Sequence, residues 1–558
     1  MRFKTIFKRP IDFNSFPLLI NIILVLSSCG AGNQEVETRT TFRYNSDNGI
    51  SSLDPAFART QENMWAVSQL FNGLVQLDSQ LNVIPCIARK WEVSGDGLIY
   101  TFHLRQDVVF HRHPIFNKIN NEKVNRSRKV LASDVVFSFN RIMDEKTASP
   151  GAWIFNDKVA AEPFRALDDS TVSIHLKKPF PPFLGLLTMP YCYIVPHEAI
   201  VKFGKDFGRE PVGTGPFKFS RWNEEVKLIF LKNPDYFEKE NGKKLPYLDA
   251  VAISFLSDKQ AAFLEFLQGN LDFFNGLESS FKDEIIEKDG RLKQKYLNKF
   301  TTLVTPFLNT EYLAFLVDDS LPQSATHPLQ DKNLRLAIQL GINKKAVIKH
   351  LRNNIGKAAD GGFVPAGLPG YSPAAGKDWL YDPIKAKEYL AKSNYKKLNQ
   401  KITLYTTKDY LDICLFVQKD LNEIGLEVAI EVQPASFLKE EKSNNRLNFF
   451  RGSWIADYPD AENYLACFYS PNFSPSGPNY SHFKNDQYDR LYESIFIQPS
   501  DSARIEIYHQ MEKILMAESP VIPLFYDQSL RLINFRVKNM TNNAANSLDL
   551  RSVKIDKS

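Results

Sequence analysis

The segment 411–432 reads LDICLFVQKDLNEIGLEVAIEV and decides the fold class of this chain. Its apolar residues recur at helical spacing as far as Ile424, and Gly425 is a typical residue just past the end of a helix. Residues 427–432 then alternate between polar and apolar side chains, as a strand does. Another strand is predicted just before the segment, at residues 402–406. This order of strand, helix and strand is typical of an α/β architecture.

The same order of elements recurs elsewhere in the chain. Residues 251–255 are predicted to form a strand and residues 258–267 a helix, and residues 313–317 and 333–351 repeat that order. A helix is also predicted over residues 63–77. The alternation predicts an α/β fold for most of the chain.

The overall composition is that of a large globular protein. The chain has 558 residues, of which 43% are hydrophobic, 13% aromatic and 24% charged. These values exclude a disordered protein, a fibre and a polytopic channel, and the length predicts about three domains or two large lobes. The formal charge of +5, from 69 basic and 64 acidic residues, is too balanced for a protein that binds nucleic acid by neutralising phosphates.

The amino-terminal region is predicted to be a secretion signal. Basic residues precede a short apolar run at 16–26, which is too short for a membrane-spanning helix. Residues 26–29, LSSC, resemble the lipobox of bacterial lipoproteins, in which the cysteine becomes the first mature residue and carries acyl chains. We therefore expect a signal peptide at 1–28, a lipidated Cys29 and a flexible tether over 29–40. The alternative is an ordinary signal peptide that happens to contain a cysteine.

The chain has no motif typical of a metal or cofactor site. The other four cysteines are widely separated and lack CxxC spacing, so they are either buried free thiols or disulfide partners. These are Cys86, Cys192, Cys414 and Cys467. His111 and His113 lie at alternate positions where a basic stretch, residues 112–129, begins, and a metal site there is the alternative to a solvated loop. We expect no metal and no cofactor.

Eight separated segments carry a resemblance to a known family. They match its pattern in order along nearly the whole mature chain. The segments are SLDP (52–55), LFNGLV (70–75), WEVSGDGLIYTFHLR (91–105), VFH (109–111), ASDVVFSFNR (132–141), PVGTGPF (211–217), NPDYF (233–237) and WIADYPD (454–460). Together they resemble the family 5 extracellular solute-binding proteins, which are dipeptide-binding and oligopeptide-binding lipoproteins of ABC transporters.

The resemblance implies a two-lobe periplasmic-binding-protein fold of type II, cluster C, with an extra domain on the first lobe. The chain would cross between the lobes near residues 305–315 and return near residues 520–525. Three regions follow from this. They are a lobe I core of 41–62, 190–304 and 516–545, an extra domain of lobe I at 63–189, and lobe II at 305–515. Such lobes close over a ligand by bending at a few hinge residues, and no chemistry on the ligand is required.

The segment 451–457, RGSWIAD, holds the candidate ligand-binding residues. In an extended strand, Arg451, Ser453, Ile455 and Asp457 share one face. A peptide lying alongside could pair its backbone with Ser453 and Ile455, in the manner of strand addition. The resemblance implies that Asp457 receives the α-amino group and Arg451 a carboxylate. Trp454 lies on the opposite face, in the core or in the wall of a side-chain pocket.

Alternatives to these roles remain open at this stage. Asp457 is also placed to cap the helix that follows it, and Arg451 could be a solvated surface residue. The implied partners are a short peptide and an ABC permease with its ATPase. The protein is expected to be a monomer, anchored by lipid to the bacterial cell envelope in a periplasmic or extracytoplasmic position, that binds no nucleic acid and is not an enzyme.

Three other functions remain open beside peptide uptake. The same fold could bind a nickel chelate, haem, an oligosaccharide or an opine, or could act as a peptide sensor. A lipid-anchored hydrolase that uses Asp457 and Asp460 as paired carboxylates is the alternative from another class.

Overall fold

The computed structural model describes residues 40–117, 126–275, 279–398, 400–498 and 500–556. The predicted signal peptide, Cys29 and nearly all of the predicted tether lie outside these ranges, as does part of the basic stretch 112–129. Within these ranges, no helix combines the length and the apolar character needed to cross a bilayer.

Strands and helices alternate along the chain. The strands are β1 (Thr41–Asn45), β2 (Val75–Leu77), β3 (Val83–Pro85), β4 (Ala88–Val93), β5 (Ile99–Leu104), β6 (Val159–Asp168), β7 (Thr171–Leu176), β8 (Phe217–Asn223), β9 (Lys227–Lys232), β10 (Lys239–Glu240), β11 (Lys243–Lys244), β12 (Ala250–Ser254), β13 (Phe273–Asn275), β14 (Phe300–Phe315), β15 (Lys357–Ala358), β16 (Ile402–Thr406), β17 (Val428–Val432), β18 (Phe449–Ile455), β19 (Val521–Asn534), β20 (Val537–Lys538) and β21 (Lys554–Ile555). The helices are α1 (Gln61–Leu70), α2 (Ala132–Met143), α3 (Phe183–Leu186), α4 (His197–Phe203), α5 (Lys259–Leu267), α6 (Ser279–Ile285), α7 (Lys332–Gly341), α8 (Lys344–Leu351), α9 (Pro383–Lys392), α10 (Tyr395–Leu398), α11 (Leu411–Ile424), α12 (Ala435–Ser443), α13 (Glu462–Leu465), α14 (Asp486–Ser494) and α15 (Asp501–Glu518).

One mixed sheet runs through both lobes. Its strand order is β17-β16-β18-β14-β19-β13-β1-β12-β9-β8, and β15 also pairs with β19. We call the half that contains β1, β8, β9, β12 and β13 the first lobe, and the half that contains β16, β17 and β18 the second lobe. A separate sheet of order β4-β5-β7-β6 lies within the range predicted for the extra domain. The predicted domain boundaries themselves stay predictions.

Two long strands connect the lobes. β14 and β19 are antiparallel, and their pairing runs from Phe300 opposite Asn534 to Ala314 opposite Val521. The register shifts between Pro306 and Thr310, where the ladder is interrupted. Because proline lacks a backbone N–H, it cannot donate to the ladder at this point. The interruption lies between the first part of β14, which pairs with the end of β19 that also pairs with β13, and the part of β14 that pairs with β18.

The segment 411–432 forms the predicted helix, α11, followed by the predicted strand, β17. α11 ends at Ile424 because Gly425 takes a left-handed conformation, with φ of 91°, that closes the helix. Its apolar face is buried, including Val417 and Leu421, in a cluster with the second-lobe strands. β16 and β17 pair in parallel on either side of this helical connection, as an α/β crossover requires.

Two predicted helices have different bounds in the structure. The helix predicted over 63–77 ends at Leu70, and residues 75–77 form β2 instead. A Cβ on Gly213 would lie 2.1 Å from the Leu70 carbonyl oxygen, so the chain at the end of α1 packs tightly against the loop at Gly213. The helix predicted over 333–351 is two helices, because Asn343 caps the start of α8 by accepting the Ala346 N–H.

Candidate functional site

A large cavity lies between the two lobes. Its volume is about 680 Å³, within the range of small-ligand sites. α1 and the loops of the first lobe form one wall, residues 455–459 of the second lobe form another, and residues 541–551 form a third. Phe307 and Leu308, from the interruption in β14, also line it.

The cavity wall combines apolar surface with polar backbone. The larger apolar residues in the wall include Met64, Trp65, Phe71, Leu77, Ile84, Met189, Phe307, Leu308, Ile455 and Leu548. The wall formed by residues 541–551 is polar and is attached to α1, since the Trp65 indole N–H donates to the Asn546 carbonyl at 2.8 Å. Such a cavity offers apolar contacts for side chains and hydrogen-bonding groups for a backbone.

Asp457 presents its carboxylate to this cavity. It lies two residues after the end of β18 and is exposed, and it makes no ion pair within the described parts of the chain. Asn463 holds it on both sides: the Asn463 Nδ2 donates to Asp457 Oδ2 at 3.3 Å, and the Asn463 Oδ1 accepts the Asp457 N–H at 3.2 Å. Burial raises the pKa of Asp457, and the hydrogen bond from Asn463 opposes that rise. The carboxylate is therefore open to a ligand and yet surrounded by protein.

Strand β18 has one edge without a neighbouring strand near Asp457. β14 pairs with β18 along its whole length, from Asn309 opposite Ile455 to Phe315 opposite Phe449. On the other side, β16 pairs with β18 only at Phe450. Within the described residues, no second strand lies beside Ser453 and Ile455. Ser453 is half-buried, and 52% of Ile455 is exposed.

Arg451 lies apart from the cavity. It shares the strand face of Ser453 and Ile455, but its guanidinium forms a buried ion pair with Glu311 of β14 and stacks over the ring of Tyr410. Its Nε is buried and has no hydrogen-bond partner in the described part of the chain. Burial raises the pKa of Glu311, while the charge of Arg451 opposes that rise. Because Glu311 already compensates its charge, Arg451 is held within the second lobe and does not line the cavity.

Trp454, on the opposite face of the strand, and Asp460, in the loop that follows the strand, both support the site. The Trp454 indole N–H donates to Asn463 Oδ1 at 3.0 Å, so Trp454 helps to orient the residue that holds Asp457. Asp460, and not Asp457, accepts the N–H of Glu462 at the start of α13. Asp460 also pairs with Arg504 at 3.1 Å. With Asp460 engaged in this way, Asp457 lacks the free carboxylate partner that a hydrolytic pair requires.

Aromatic residues from both lobes meet beside the cavity. Tyr458, next to Asp457, packs into the hydrophobic cluster of the first lobe and its extra domain. Its ring lies 6.5 Å from those of Trp153 and Phe180. Phe180 in turn stacks on Phe496 of the second lobe at 5.7 Å. These contacts join the lobes on the side of the cavity where Asp457 lies.

The remaining candidate residues have structural partners. The sequence left open whether four cysteines are free thiols or disulfide partners. The structure shows them as buried free thiols: Cys86, Cys192, Cys414 and Cys467. The buried His111 accepts the Gly213 N–H at 3.2 Å and contacts the Gly215 carbonyl oxygen at 3.1 Å, and burial lowers its pKa to about 4.

Within the described residues, no group of three or more histidine, cysteine or acidic side chains is arranged to hold a metal ion.

Sequence reasoning missed three parts of the site. Asn463 lies in a segment that reads only as a short helix, and residues 541–551 carry no motif. Arg59 lines the cavity four residues after the SLDP segment, but a single exposed arginine gives no sequence signal of a binding role. Whether any of the candidate residues meets the ligand stays a prediction.

Comparisons with known proteins place the chain among transport proteins. Residues 82–476 match the family model described as "Bacterial extracellular solute-binding proteins, family 5 Middle". The dipeptide-binding protein DppE of Bacillus subtilis is 24% identical over 536 residues, which span 91% of this chain and 90% of the relative.

Solved structures share the fold over nearly the whole chain. HbpA2 of Haemophilus parasuis superposes with a TM-score of 0.80 at 23% identity, covering 93% of this chain and 100% of that one. DppA of Helicobacter pylori, determined in complex with the peptide STSA, superposes with a TM-score of 0.69 at 26% identity, covering 93% and 99%.

Proposed function

Because the chain belongs to the bacterial extracellular solute-binding proteins of family 5, we propose that it binds short peptides in the cavity between its lobes and delivers them to an ABC importer. Members of this family are solute-binding components of transporters and are not enzymes. The observation that carries the peptide assignment is the carboxylate of Asp457, which is exposed in the cavity and makes no ion pair within the described residues. The relatives that are named for dipeptides or determined with a peptide support the same ligand class.

In this proposal Asp457 receives the α-ammonium group of the peptide. Unit charges about 4 Å apart attract by roughly 4 kcal/mol at an effective dielectric of 20, against about 1 kcal/mol in water. A cavity closed around its ligand is nearer to the first value. Asn463 holds the carboxylate in place before the ligand arrives, which reduces the entropy lost on binding.

The unpaired edge of β18 then receives the peptide backbone. Ser453 and Ile455 lie on the strand just before Asp457, so a peptide whose ammonium meets Asp457 can extend along this edge. Main-chain hydrogen bonds of this kind do not depend on side-chain identity. The apolar part of the cavity wall supplies room for peptide side chains.

The cellular setting is part of the proposal. We propose that Cys29 carries the lipid after removal of residues 1–28, and that residues 29–40 tether a monomeric protein to a membrane of the cell envelope. Acyl chains bind membranes by about 0.8 kcal/mol for each buried CH₂ group. The partner is the ABC permease with its ATPase, which receives the peptide from the protein in its periplasmic or extracytoplasmic position.

Calorimetry with free and N-acetylated trialanine tests the role of Asp457. The free peptide is expected to bind at least 100-fold more tightly than the acetylated one, because acetylation removes the charge that pairs with Asp457. Asp457→Asn is expected to abolish this difference. The control variant Asp319→Asn changes an exposed acid elsewhere in the second lobe and should retain the difference. Equal affinity of the wild-type protein for both peptides would overturn the assignment.

Mass spectrometry of a peptide mixture after incubation separates binding from hydrolysis. The protein is expected to retain peptides of unchanged mass. Fragments that appear with time would support the hydrolase instead, and retention of a different solute in place of peptides would indicate another cargo.

A further inference from the structure

Arg59 is a charged residue in the cavity wall. It is exposed, and no hydrogen bond or ion pair of its side chain occurs within the described parts of the chain. Arg551, the other arginine in the wall, is different, because it pairs with Asp549 at 2.6 Å and with Glu238 at 2.5 Å. The charge of Arg551 is thus satisfied by the protein, whereas that of Arg59 is available to a ligand.

The backbone that carries Arg59 is held firmly. It connects the short 3-10 helix Pro55–Phe57 to α1, which begins after Thr60. Asp54 caps the 3-10 helix by accepting the Ala56 N–H at 3.0 Å and pairs with Arg141 at 2.9 Å between Nη1 and Oδ1. Asp54 is itself buried. Arg59 therefore extends into the cavity from a fixed position, as a specificity residue should.

Arg59 and Asp457 line the same cavity from opposite lobes. Tyr191 is 5% exposed and neighbours Pro190 of the cavity wall. Burial raises the pKa of Tyr191, the charge of Arg59 lowers it and that of Asp457 raises it, so both charges lie within electrostatic reach of one phenol. An anion beside Arg59 would consequently lie near the group that Asp457 binds.

When the peptide ammonium pairs with Asp457, the positive charge of Arg59 still requires an anionic partner. Closure of the cavity removes water from the guanidinium, and an unpaired charge in a dry site is unfavourable. A carboxylate on the ligand restores the balance with a directed, charge-assisted hydrogen bond.

We propose that Arg59 forms an anion-binding subsite that selects peptides with an aspartate or glutamate at the first or second position. This proposal deepens the proposed function and rests on it, because the ammonium of the same peptide is assigned to Asp457. The ligand class is thus a short peptide that carries a carboxylate close to its amino terminus.

Calorimetry with Glu-Ala-Ala and its neutral isostere Gln-Ala-Ala tests the subsite. The wild-type protein is expected to bind Glu-Ala-Ala at least tenfold more tightly. Arg59→Gln should reduce this ratio to about one. Arg59→Glu should reverse the preference in favour of Lys-Ala-Ala. Arg221→Gln, which changes an exposed arginine on β8, is the matched control and should keep the wild-type ratio.

Several outcomes would overturn the proposal. Equal wild-type affinity for Glu-Ala-Ala and Gln-Ala-Ala would do so, as would a preference that persists in Arg59→Gln. Equal tightening of all peptides in Arg59→Gln would indicate that Arg59 pairs with Asp457 and competes with the ligand. Thermal unfolding of each variant checks that it folds.

N-acetylated Glu-Ala-Ala distinguishes this proposal from the function on which it rests. If acetylation has no effect and Arg59→Gln still weakens binding, the anion subsite is supported and the role of Asp457 fails. If acetylation weakens binding and Arg59→Gln leaves the Glu to Gln ratio unchanged, the role of Asp457 is supported and the subsite fails. If no peptide binds, both are overturned.

Discussion

Asn463 forms hydrogen bonds to Asp457 with both polar atoms of its side-chain amide. Its Nδ2 donates to the carboxylate at 3.3 Å, and its Oδ1 accepts the backbone N–H of the same residue at 3.2 Å. The Oδ1 also accepts the Trp454 indole N–H at 3.0 Å. One amide therefore fixes the carboxylate, the loop that carries it and the strand that leads into it.

Asn463→Ala is expected to weaken the binding of free-amine peptides by about 10-fold. The variant leaves the charge of Asp457 in place but releases its orientation, and each lost hydrogen bond to a charged group is worth about 1.5–3 kcal/mol. The loss should be smaller than that of Asp457→Asn and should be absent for N-acetylated peptides, which is measurable by calorimetry. An equal loss for both kinds of peptide would mean that Asn463 supports the fold and not the carboxylate.

Peptide affinity is expected to fall as the pH is lowered through the pKa of Asp457. Burial raises that pKa, so the carboxylate takes up a proton at a higher pH than an ordinary aspartate and loses its attraction for an ammonium group. Below the pKa, the Kd of free trialanine should rise about tenfold for each pH unit. Calorimetry over a pH series checks this, with Asp457→Asn as the control whose affinity should not follow the same curve.

Local sequence patterns predicted helices and strands, whereas the surroundings of the site residues depend on residues that are distant in the sequence. α11 was predictable because its apolar spacing and Gly425 lie within one segment. The crossing strand was predicted only at residues 313–317, although β14 begins at Phe300, because its first half owes its strand structure to residues 528–534. The face that Arg451 occupies followed from strand alternation, but its partner Glu311 lies 140 residues away and leaves no trace in the local sequence.

The resemblance to a family predicted a binding role for Asp457 that the alternation of polar and apolar residues did not. Periodicity alone made a helix cap the simplest role for Asp457, whereas the structure gives the capping contact to Asp460. The placement of Asp457 at the cavity followed from the family pattern. The family pattern did not point to Arg59, because the availability of its charge to a ligand depends on which neighbouring charges are already paired.

Arg451→Met is expected to destabilise the protein by about 3–5 kcal/mol. The variant leaves Glu311 buried without its cation, which is costly whether the acid ionises or takes up a proton. The double variant Arg451→Met with Glu311→Leu should recover much of the stability, since apolar residues of similar size suit a buried position. Urea unfolding measures both effects.

Peptide binding by the double variant decides the role of Arg451. We expect its affinity for trialanine to stay within threefold of the wild type, because Arg451 does not line the cavity. A loss of more than 10-fold in a variant of normal stability would restore Arg451 as a contact for the peptide carboxylate.

The free energy of unfolding is expected to fall as the pH rises from about 5 to 8, because the buried Glu512 is protonated in the folded protein. This acid is fully buried in α15, and its Oε1 accepts the N–H groups of Phe363 and Val364. Its Oε2 has no hydrogen-bond partner among the residues that the structure describes. Burial raises its pKa to about 8. Between the unfolded and folded pKa values, the native state therefore holds a proton that the unfolded chain releases. The free energy of unfolding then falls by roughly 1.4 kcal/mol for each pH unit.

Glu512→Gln isolates this contribution. Glutamine stays neutral at every pH and keeps an oxygen for the two N–H groups, so the stability of the variant relative to the wild type should increase steadily from pH 5 to pH 8 and then level off. Urea unfolding at four pH values checks the trend, with the exposed Glu440→Gln as the control. Parallel curves for Glu512→Gln and the wild type would show that Glu512 is ionised in the folded protein at neutral pH, with its charge stabilised by the N–H groups of Phe363 and Val364.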